Sequence, residues 1–212
     1  YAMGAPEIVL AGDSELCQKA AKRADDLAKQ GFRVVAIVAL SRLPTGDELG
    51  KVKPLGLISL AEGIRPDAAS TLSYFKKQGV EIKIISGDSA RTVATIARRV
   101  GLSPRSYDAR DLPDYDETPT KFLDTVKKHN IFGRVQPQQK RRIVAALQQA
   151  GRVVAMTGDG VNDALALKKA DLGIAMNSGS PATRAVAEVV LMDNKFSHLP
   201  SVLAEGRRVV AN

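Results

Sequence analysis

The residues Met156-Thr157-Gly158-Asp159-Gly160-Val161-Asn162-Asp163-Ala164 gather oxygen donors and glycines in one short stretch. Asp159, Asn162 and Asp163 offer clustered oxygen ligands of the kind magnesium prefers, and Gly158 and Gly160 let backbone approach a ligand closely. An isolated Gly-Asp-Gly would mean little, because Asp-Gly pairs are common in turns. Here the run continues as Leu165-Ala166-Leu167-Lys168-Lys169-Ala170-Asp171-Leu172-Gly173-Ile174-Ala175-Met176. A second Gly-Asp turn, Ser86-Gly87-Asp88, follows another short apolar run. Two such strand ends facing one crevice would collect hydroxyls, backbone N–H groups and carboxylates around one point. The helices that follow would point their N-termini there and favour an anion. That is a setting for a phosphoryl group beside a hard cation.

The elements that must hold these turns alternate strand and helix. A helix is expected from about Ser14, a plausible N-cap, to Gln30, with Gly31 as its stop. Strands are expected over 32–40, 55–60, 82–85, 131–135, 153–156, 172–175 and 189–192. Helices are expected over 67–78, after Asp88 to Val100, from Pro137 to Gly151, over 162–170, and from Ser180-Pro181. Val93, Ile96, Ala97 and Val100 recur at helical spacing, and Pro137 suits a first helical turn. Residues 103–120, with Pro104, Pro113 and Pro119, read as a loop. This alternation predicts an α/β fold, a parallel sheet with helices on both faces, whose ligands lie at the carboxyl ends of the strands.

Composition narrows the function classes. The chain has 212 residues, with 44% hydrophobic and 25% charged residues, ordinary for a globular protein. One cysteine, Cys17, excludes an internal disulfide and fits a reducing compartment. The apolar runs are far shorter than the ~20 residues of a membrane helix. The net charge of +8 suits a solvated basic surface, a membrane face or a polyanion such as ATP. Aromatic residues at 4% leave few stacking platforms, so nucleic acid is not an expected partner.

The stretch around Asp159 resembles the hinge motif of P-type (E1-E2) cation-transporting ATPases, within the haloacid dehalogenase-like superfamily, and the resemblance extends over nearly the whole chain. Ser86-Gly87-Asp88 is similar to the family's Thr-Gly-Asp turn. Arg134-Val135-Gln136-Pro137-Gln138-Gln139-Lys140 resembles the segment that delivers a phosphate-binding lysine. Glu62-Gly63-Ile64-Arg65-Pro66 stands where the family has its Asp-Pro-Pro-Arg hinge, and Gly4-Ala5-Pro6-Glu7 and Gly31-Phe32-Arg33-Val34 match parts of the nucleotide pocket. The resemblance implies that residues 1–61 are the end of a nucleotide-binding domain. Residues 62–196 would then be the phosphorylation domain, and 197–212 the lead into a stalk and membrane helix. It implies Mg2+ and ATP as cofactors. Asp159 would be a direct magnesium ligand whose shell is ordered by Asn162 and Asp163. Lys140, Ser86 and Gly87 would hold the phosphoryl group, and Gly4, Arg33, Arg65 and Arg134 would contact the nucleotide. The implied partners are a transported cation, with calcium suggested by the Gly-Ala-Pro-Glu form, and actuator and membrane domains. The parent protein would lie in a membrane with this part on the cytoplasmic side.

Plainer readings stand beside these. On spacing alone, Lys140 reads as a solvated helix lysine like Arg141 and Arg142. Ser86 or Asp88 would serve as a helix cap, and Arg33 as an edge-strand charge. His129 and His198 read as surface or locally hydrogen-bonded residues. Met3 replaces the family's lysine, and Glu62-Gly63-Ile64 replaces its acidic and paired-proline hinge residues. Neither Asp-Lys-Thr-Gly-Thr, which carries the phosphorylated aspartate, nor Thr-Gly-Glu-Ser occurs in the chain. The chain therefore reads as an excised piece, inactive alone, lacking the central strand between those ending at Ser86 and Thr157. A separate segment, a neighbouring copy, or closure of the two flanking strands would have to fill that slot. The rival functions are a soluble phosphatase of the same superfamily, which would need an N-terminal Asp-x-Asp, and a non-catalytic regulatory module.

Overall fold

The structure, a computed structural model, describes residues 1–12, 14–42, 50–61 and 63–211. Glu62 and Asn212 of the stretches singled out above lie outside them. The chain divides into two compact units between Gly63 and Ile64.

The first unit contains β1 (Ala2–Gly4), α1 (Pro6–Val9), α2 (Glu15–Lys29), β2 (Arg33–Leu40) and β3 (Val52–Leu60). The strands form an antiparallel sheet in the order β1-β2-β3. Ser14 caps α2 as expected, its Oγ accepting from the Cys17 N–H at 3.2 Å. Gly31 follows the helix with a φ of 89°, in the left-handed region that glycine adopts without steric cost. Ala36 and Val38 of β2 are buried with Val9 and Leu10, and Ala20 and Ala21 of α2 pack on them. The strand pairing puts Met3, Ile58 and Leu60 on the opposite face, where all are exposed.

The second unit contains α3 (Ala68–Lys77), β4 (Ile84–Ile85), α4 (Ala90–Arg99), β5 (Ser106–Asp108), α5 (Pro119–Lys128), β6 (Ile131–Gly133) and α6 (Pro137–Gln149). It continues with β7 (Ala155–Gly158), α7 (Ala164–Lys169), β8 (Leu172–Met176), α8 (Pro181–Val186), β9 (Val189–Leu191) and α9 (Leu199–Ala211). Its parallel strands form two three-stranded sheets, β4-β6-β5 and β7-β8-β9, rather than one continuous sheet. The middle strands carry the burial. Ile131, Phe132 and Gly133 of β6 are all buried, as are Gly173, Ile174 and Ala175 of β8. Phe122 and Val126 from α5, Phe132 from β6, and Ile143 and Ala146 from α6 make the main core. Ile174, Leu191 and Leu199 form another cluster, against which Phe75 of α3 and Phe196 pack.

Several elements depart from expectation. Residues 103–120 are not all loop: they contain β5 and a 3-10 turn (Ala109–Asp111), and α5 begins at Pro119. β5 pairs in register with β6, so it exists through a partner 25 residues away along the chain, Ser106 facing Ile131. The strand expected over 153–156 starts two residues later, with Val153 left 89% exposed. The strand expected over 82–85 is only Ile84–Ile85, half-buried, because β4 pairs on one side alone. Among the described residues β4 bonds only to β6 and β7 only to β8, so the strands ending at Ser86 and Thr157 do not pair with each other.

Ile143 is fully buried among Phe122, Val126 and Phe132. Ile143→Ala is expected to cost about 3 kcal/mol through lost burial and the cavity left behind. Urea denaturation followed by circular dichroism would measure it as a lower midpoint at unchanged slope.

Candidate active site

The first Gly-Asp turn is built by β4 and α4. The Ser86 N–H donates to the Phe132 carbonyl at 2.9 Å, extending the β4–β6 pairing by one bond. The Ser86 hydroxyl accepts from the Asp88 N–H at 3.1 Å, and its own proton meets no acceptor among the described residues. Gly87 is exposed. The cap of α4 is neither Ser86 nor Asp88: the Ser89 hydroxyl accepts from the Thr92 N–H at 3.2 Å. Ser86 is thereby left with a donor to spare at the carboxyl end of a parallel strand, where such sheets bind ligands.

The turn is stitched to the segment that launches α6. The Val135 N–H donates to the Ser86 carbonyl at 2.9 Å and the Arg134 N–H to the Asp88 carbonyl at 2.8 Å. Arg134 adopts a φ of 55°, which aims its side chain back at β5. There its guanidinium donates to Asp108 Oδ2 at 2.5 Å. Burial pushes the Asp108 carboxyl up. Hydrogen bonds from the Arg110 side chain and backbone, and then from Arg134, outweigh that and bring it down to about 2. Arg134, expected to contact a nucleotide, is a strut between β5 and the Ser86 turn as well.

α6 opens at Pro137 behind Gln136, whose N–H is taken by Gln139 Oε1 at 2.9 Å. One turn in, Lys140 departs from the solvated-lysine reading. It is 9% exposed, whereas Arg141 is exposed and Arg142 lies half-buried over the Tyr115 ring, paired with Asp116. Its ammonium donates to Asp163 Oδ1 at 2.6 Å. Asp163 Oδ2 accepts from the Gly160 N–H at 3.2 Å. Gly158 makes room for this arrangement, since a β-carbon there would lie 2.6 Å from that of Asp163.

Both Asp163 oxygens are therefore engaged, and Asp163 acts here as a brace rather than an open ligand. Asp159 is the reverse. It is exposed, and its carboxylate has no partner among the described residues; the same holds for the exposed Asn162 amide. No cluster of three or more His, Cys, Asp or Glu side chains suited to a metal occurs among the described residues. An open carboxylate with a neighbouring amide still fits magnesium, which takes one or two protein oxygens and keeps several waters.

Of the other expected nucleotide residues, Gly4 and Arg33 belong to the first unit and Arg65 to the second. Gly4 ends β1, where a β-carbon would lie 2.9 Å from a Val9 methyl carbon, and Arg33 is exposed at the start of β2. Arg65, in the second unit, donates to the Asn194 carbonyl. His129 bonds the Thr125 carbonyl through Nδ1 at 2.9 Å and lies against Tyr107, while His198 pairs with Asp193 at 2.8 Å, both local contacts of the expected kind. Sequence reading missed Asp108, which sat in a presumed loop; the only available signal was an acidic residue ahead of Arg110.

Two outcomes are expected. The Asp108 carboxyl titrates lower in the folded chain than in the unfolded one. Its contribution, about 1–2 kcal/mol, is therefore complete above about pH 4 and disappears as pH falls towards 2. Denaturation midpoints compared at pH 5 and pH 3 should show a smaller acid loss in Asp108→Asn than in the unaltered chain. Lys140→Met leaves the buried Asp163 charge uncompensated and should cost about 3–5 kcal/mol, measured by the same denaturation at neutral pH.

Comparison with known proteins identifies the family. A model of the haloacid dehalogenase-like hydrolase family matches residues 3–171. The calcium-transporting ATPase CtpE of Mycobacterium tuberculosis is 48% identical over 213 residues, covering 100% of this chain and 26% of its own length. The probable cation-transporting ATPase exp7 of Streptococcus pneumoniae is 41% identical over 219 residues, 99% of this chain and 26% of that protein. The human calcium-transporting ATPase type 2C member 2 is 36% identical over 198 residues, 92% of this chain and 20% of the relative. The chain thus spans about a quarter or less of the curated relatives it matches. No described helix is long and apolar enough to cross a membrane. Both Gly-Asp turns and Lys140 fall within the matched span, and the chain belongs to the haloacid dehalogenase-like hydrolase family, with P-type cation-transporting ATPases as its curated relatives.

Proposed function

We propose that this chain is the phosphoryl-handling part, with the end of the nucleotide-binding part, of a longer P-type ATPase on the cytoplasmic side of a membrane, and that the transported cation is calcium. The observation that carries the reading is the contrast between Asp159 and Asp163. One carboxylate is open at the end of β7, and the other is locked behind it by a buried lysine. The names of the relatives support the cation and the coupling to ATP.

In this reading a divalent cation, when bound, neutralises charge on the transferred phosphoryl group. Asp159 and Asn162 would hold it, with waters completing its shell. The Ser86 hydroxyl and Gly87 N–H donate to phosphoryl oxygens. Lys140 spends one of its three donors on Asp163 and keeps two for the phosphoryl group. Positioning and charge neutralisation are the main demands of such a transfer. The attacking aspartate belongs to a strand outside these residues, and the unshared edges of β4 and β7 are where a parallel strand would pair. In the first unit, the exposed side of the sheet, with Met3, Ile58 and Leu60, offers an apolar surface for a purine beside Arg33.

Asp159→Ala in the longer protein should abolish phosphoenzyme formation from ATP, read with γ-labelled ATP after acid quench. The 212-residue chain alone should not turn over ATP or small phosphate esters above background, because it offers no positioned acyl-phosphate nucleophile. Magnesium-dependent turnover by the chain itself, lost in Asp159→Ala, would replace this reading with a self-sufficient phosphatase.

A further inference from the structure

The open Asp159 side chain has nothing along its own length to aim it. Its direction is set by its backbone, and that backbone is held from one side by the residues that join β8 to α8. The Ser180 N–H donates to the Asp159 carbonyl at 2.8 Å. The Thr183 hydroxyl lies 3.4 Å from the same carbonyl. Thr183 is fully buried, and its hydroxyl also contacts the Ser180 carbonyl at 2.8 Å and the Ser180 hydroxyl at 2.9 Å. A single hydroxyl proton cannot serve all three oxygens, so the Ser180 N–H is the principal bond and Thr183 fixes the turn that presents it. The Ser180 hydroxyl reciprocates by accepting from the Thr183 N–H at 3.1 Å.

Gly179 sets how close this turn comes. A β-carbon there would lie 3.1 Å from both the α-carbon and the carbonyl oxygen of Asp159, and 2.9 Å from the Met176 carbonyl. Those neighbours are backbone, which yields far less readily than a flexible side-chain tip. Gly179 is not among the residues with positive φ. Its lack of a side chain is therefore required by the close approach of the Met176 and Asp159 backbones and not by its own conformation.

We propose that Gly179, Ser180 and Thr183 are positioning residues for Asp159, fixing the angle at which its carboxylate meets the divalent cation. The inference rests on the reading of Asp159 as a cation ligand. Outer residues that orient a metal ligand typically change metal affinity by about 10–100-fold when altered, and ligand groups must be held to within about 0.5 Å to work. Gly179→Ala crowds the Met176 carbonyl and the Asp159 backbone together without adding charge or removing a donor. Thr183→Val keeps the branched shape and removes the hydroxyl.

The test uses the longer protein carrying this chain and two readouts. Manganese, a paramagnetic stand-in for magnesium, is titrated without nucleotide and followed by electron paramagnetic resonance. The magnesium and ATP concentrations for half-maximal phosphoenzyme formation are measured separately. Gly179→Ala is expected to weaken manganese binding and raise the half-saturating magnesium concentration about tenfold, with the half-saturating ATP concentration unchanged. Thr183→Val should shift both metal readouts in the same direction by about threefold, and Thr183→Ser should restore them. Should Gly179→Ala not fold, Thr183→Val against Thr183→Ser decides the matter. Unchanged metal readouts in the folded variants, with Asp159→Ala still abolishing manganese binding, overturn the positioning role while leaving Asp159 as ligand. Asp159→Ala that leaves the number of bound manganese ions per chain unchanged overturns the ligand assignment and the positioning role with it.

Discussion

The Lys140 ammonium and the Asp163 carboxylate meet at 2.6 Å with their side chains only 11% and 12% exposed. Burying either charge alone would carry a large desolvation penalty. Lys140 lies on α6, which follows the middle strand of one sheet. Asp163 lies in the turn after β7, the edge strand of the other. The pair therefore ties together two halves whose strands, among the described residues, share no hydrogen bonds. Gly158 and Gly160 serve this contact, one by giving it room and the other by donating to the second Asp163 oxygen.

From that contact the rest of the site can be traced outward. Lys140 is carried by the first turns of α6, whose entry is fixed by bonds from Arg134 and Val135 to the Ser86–Asp88 turn. Arg134 is itself pinned by Asp108 on β5. On the other side, Asp163 occupies the inner position of the β7 turn and leaves Asp159 facing solvent, with Ser180 behind its carbonyl. The outcome is a contrast between two carboxylates four residues apart: one is neutralised inside the fold and the other is left open to solvent. Such separation of environments is how a fold gives chemically identical groups different tasks.

Much of the scaffold was legible in the sequence because it is local. The Ser14 cap, the proline that opens α6 and the glycine after α2 act within one turn of themselves. The periodic apolar face of α4 is likewise written in neighbouring residues, with Val93, Ala94 and Ala97 buried. The two Gly-Asp turns were visible because their residue types state their chemistry, and their length of match to a known family supplied the roles. β5 was not legible, since Ser106-Tyr107-Asp108 has one apolar residue and sits in a polar, proline-containing stretch. It becomes a strand only by pairing with β6. The limits of β7 are likewise decided by its partner: Ala155 is the first residue to find a place opposite β8, and Val153 is left in solvent.

The sequence by itself determined the family, the alternation of strand and helix, and the list of residues able to hold a phosphoryl group and a hard cation. Only the tertiary structure decided which of them are buried, paired or open. It buried Lys140 when its neighbours Arg141 and Arg142 gave no sign that it would differ from them. It paired Arg134 with Asp108, and moved the cap of α4 from Ser86 to Ser89. It set Gly179 against the backbone of Asp159, 20 residues earlier in the chain. The reason is common to all of these. Residue type and spacing fix what a side chain is able to bond, but burial and the partner it meets depend on segments brought together from far along the chain.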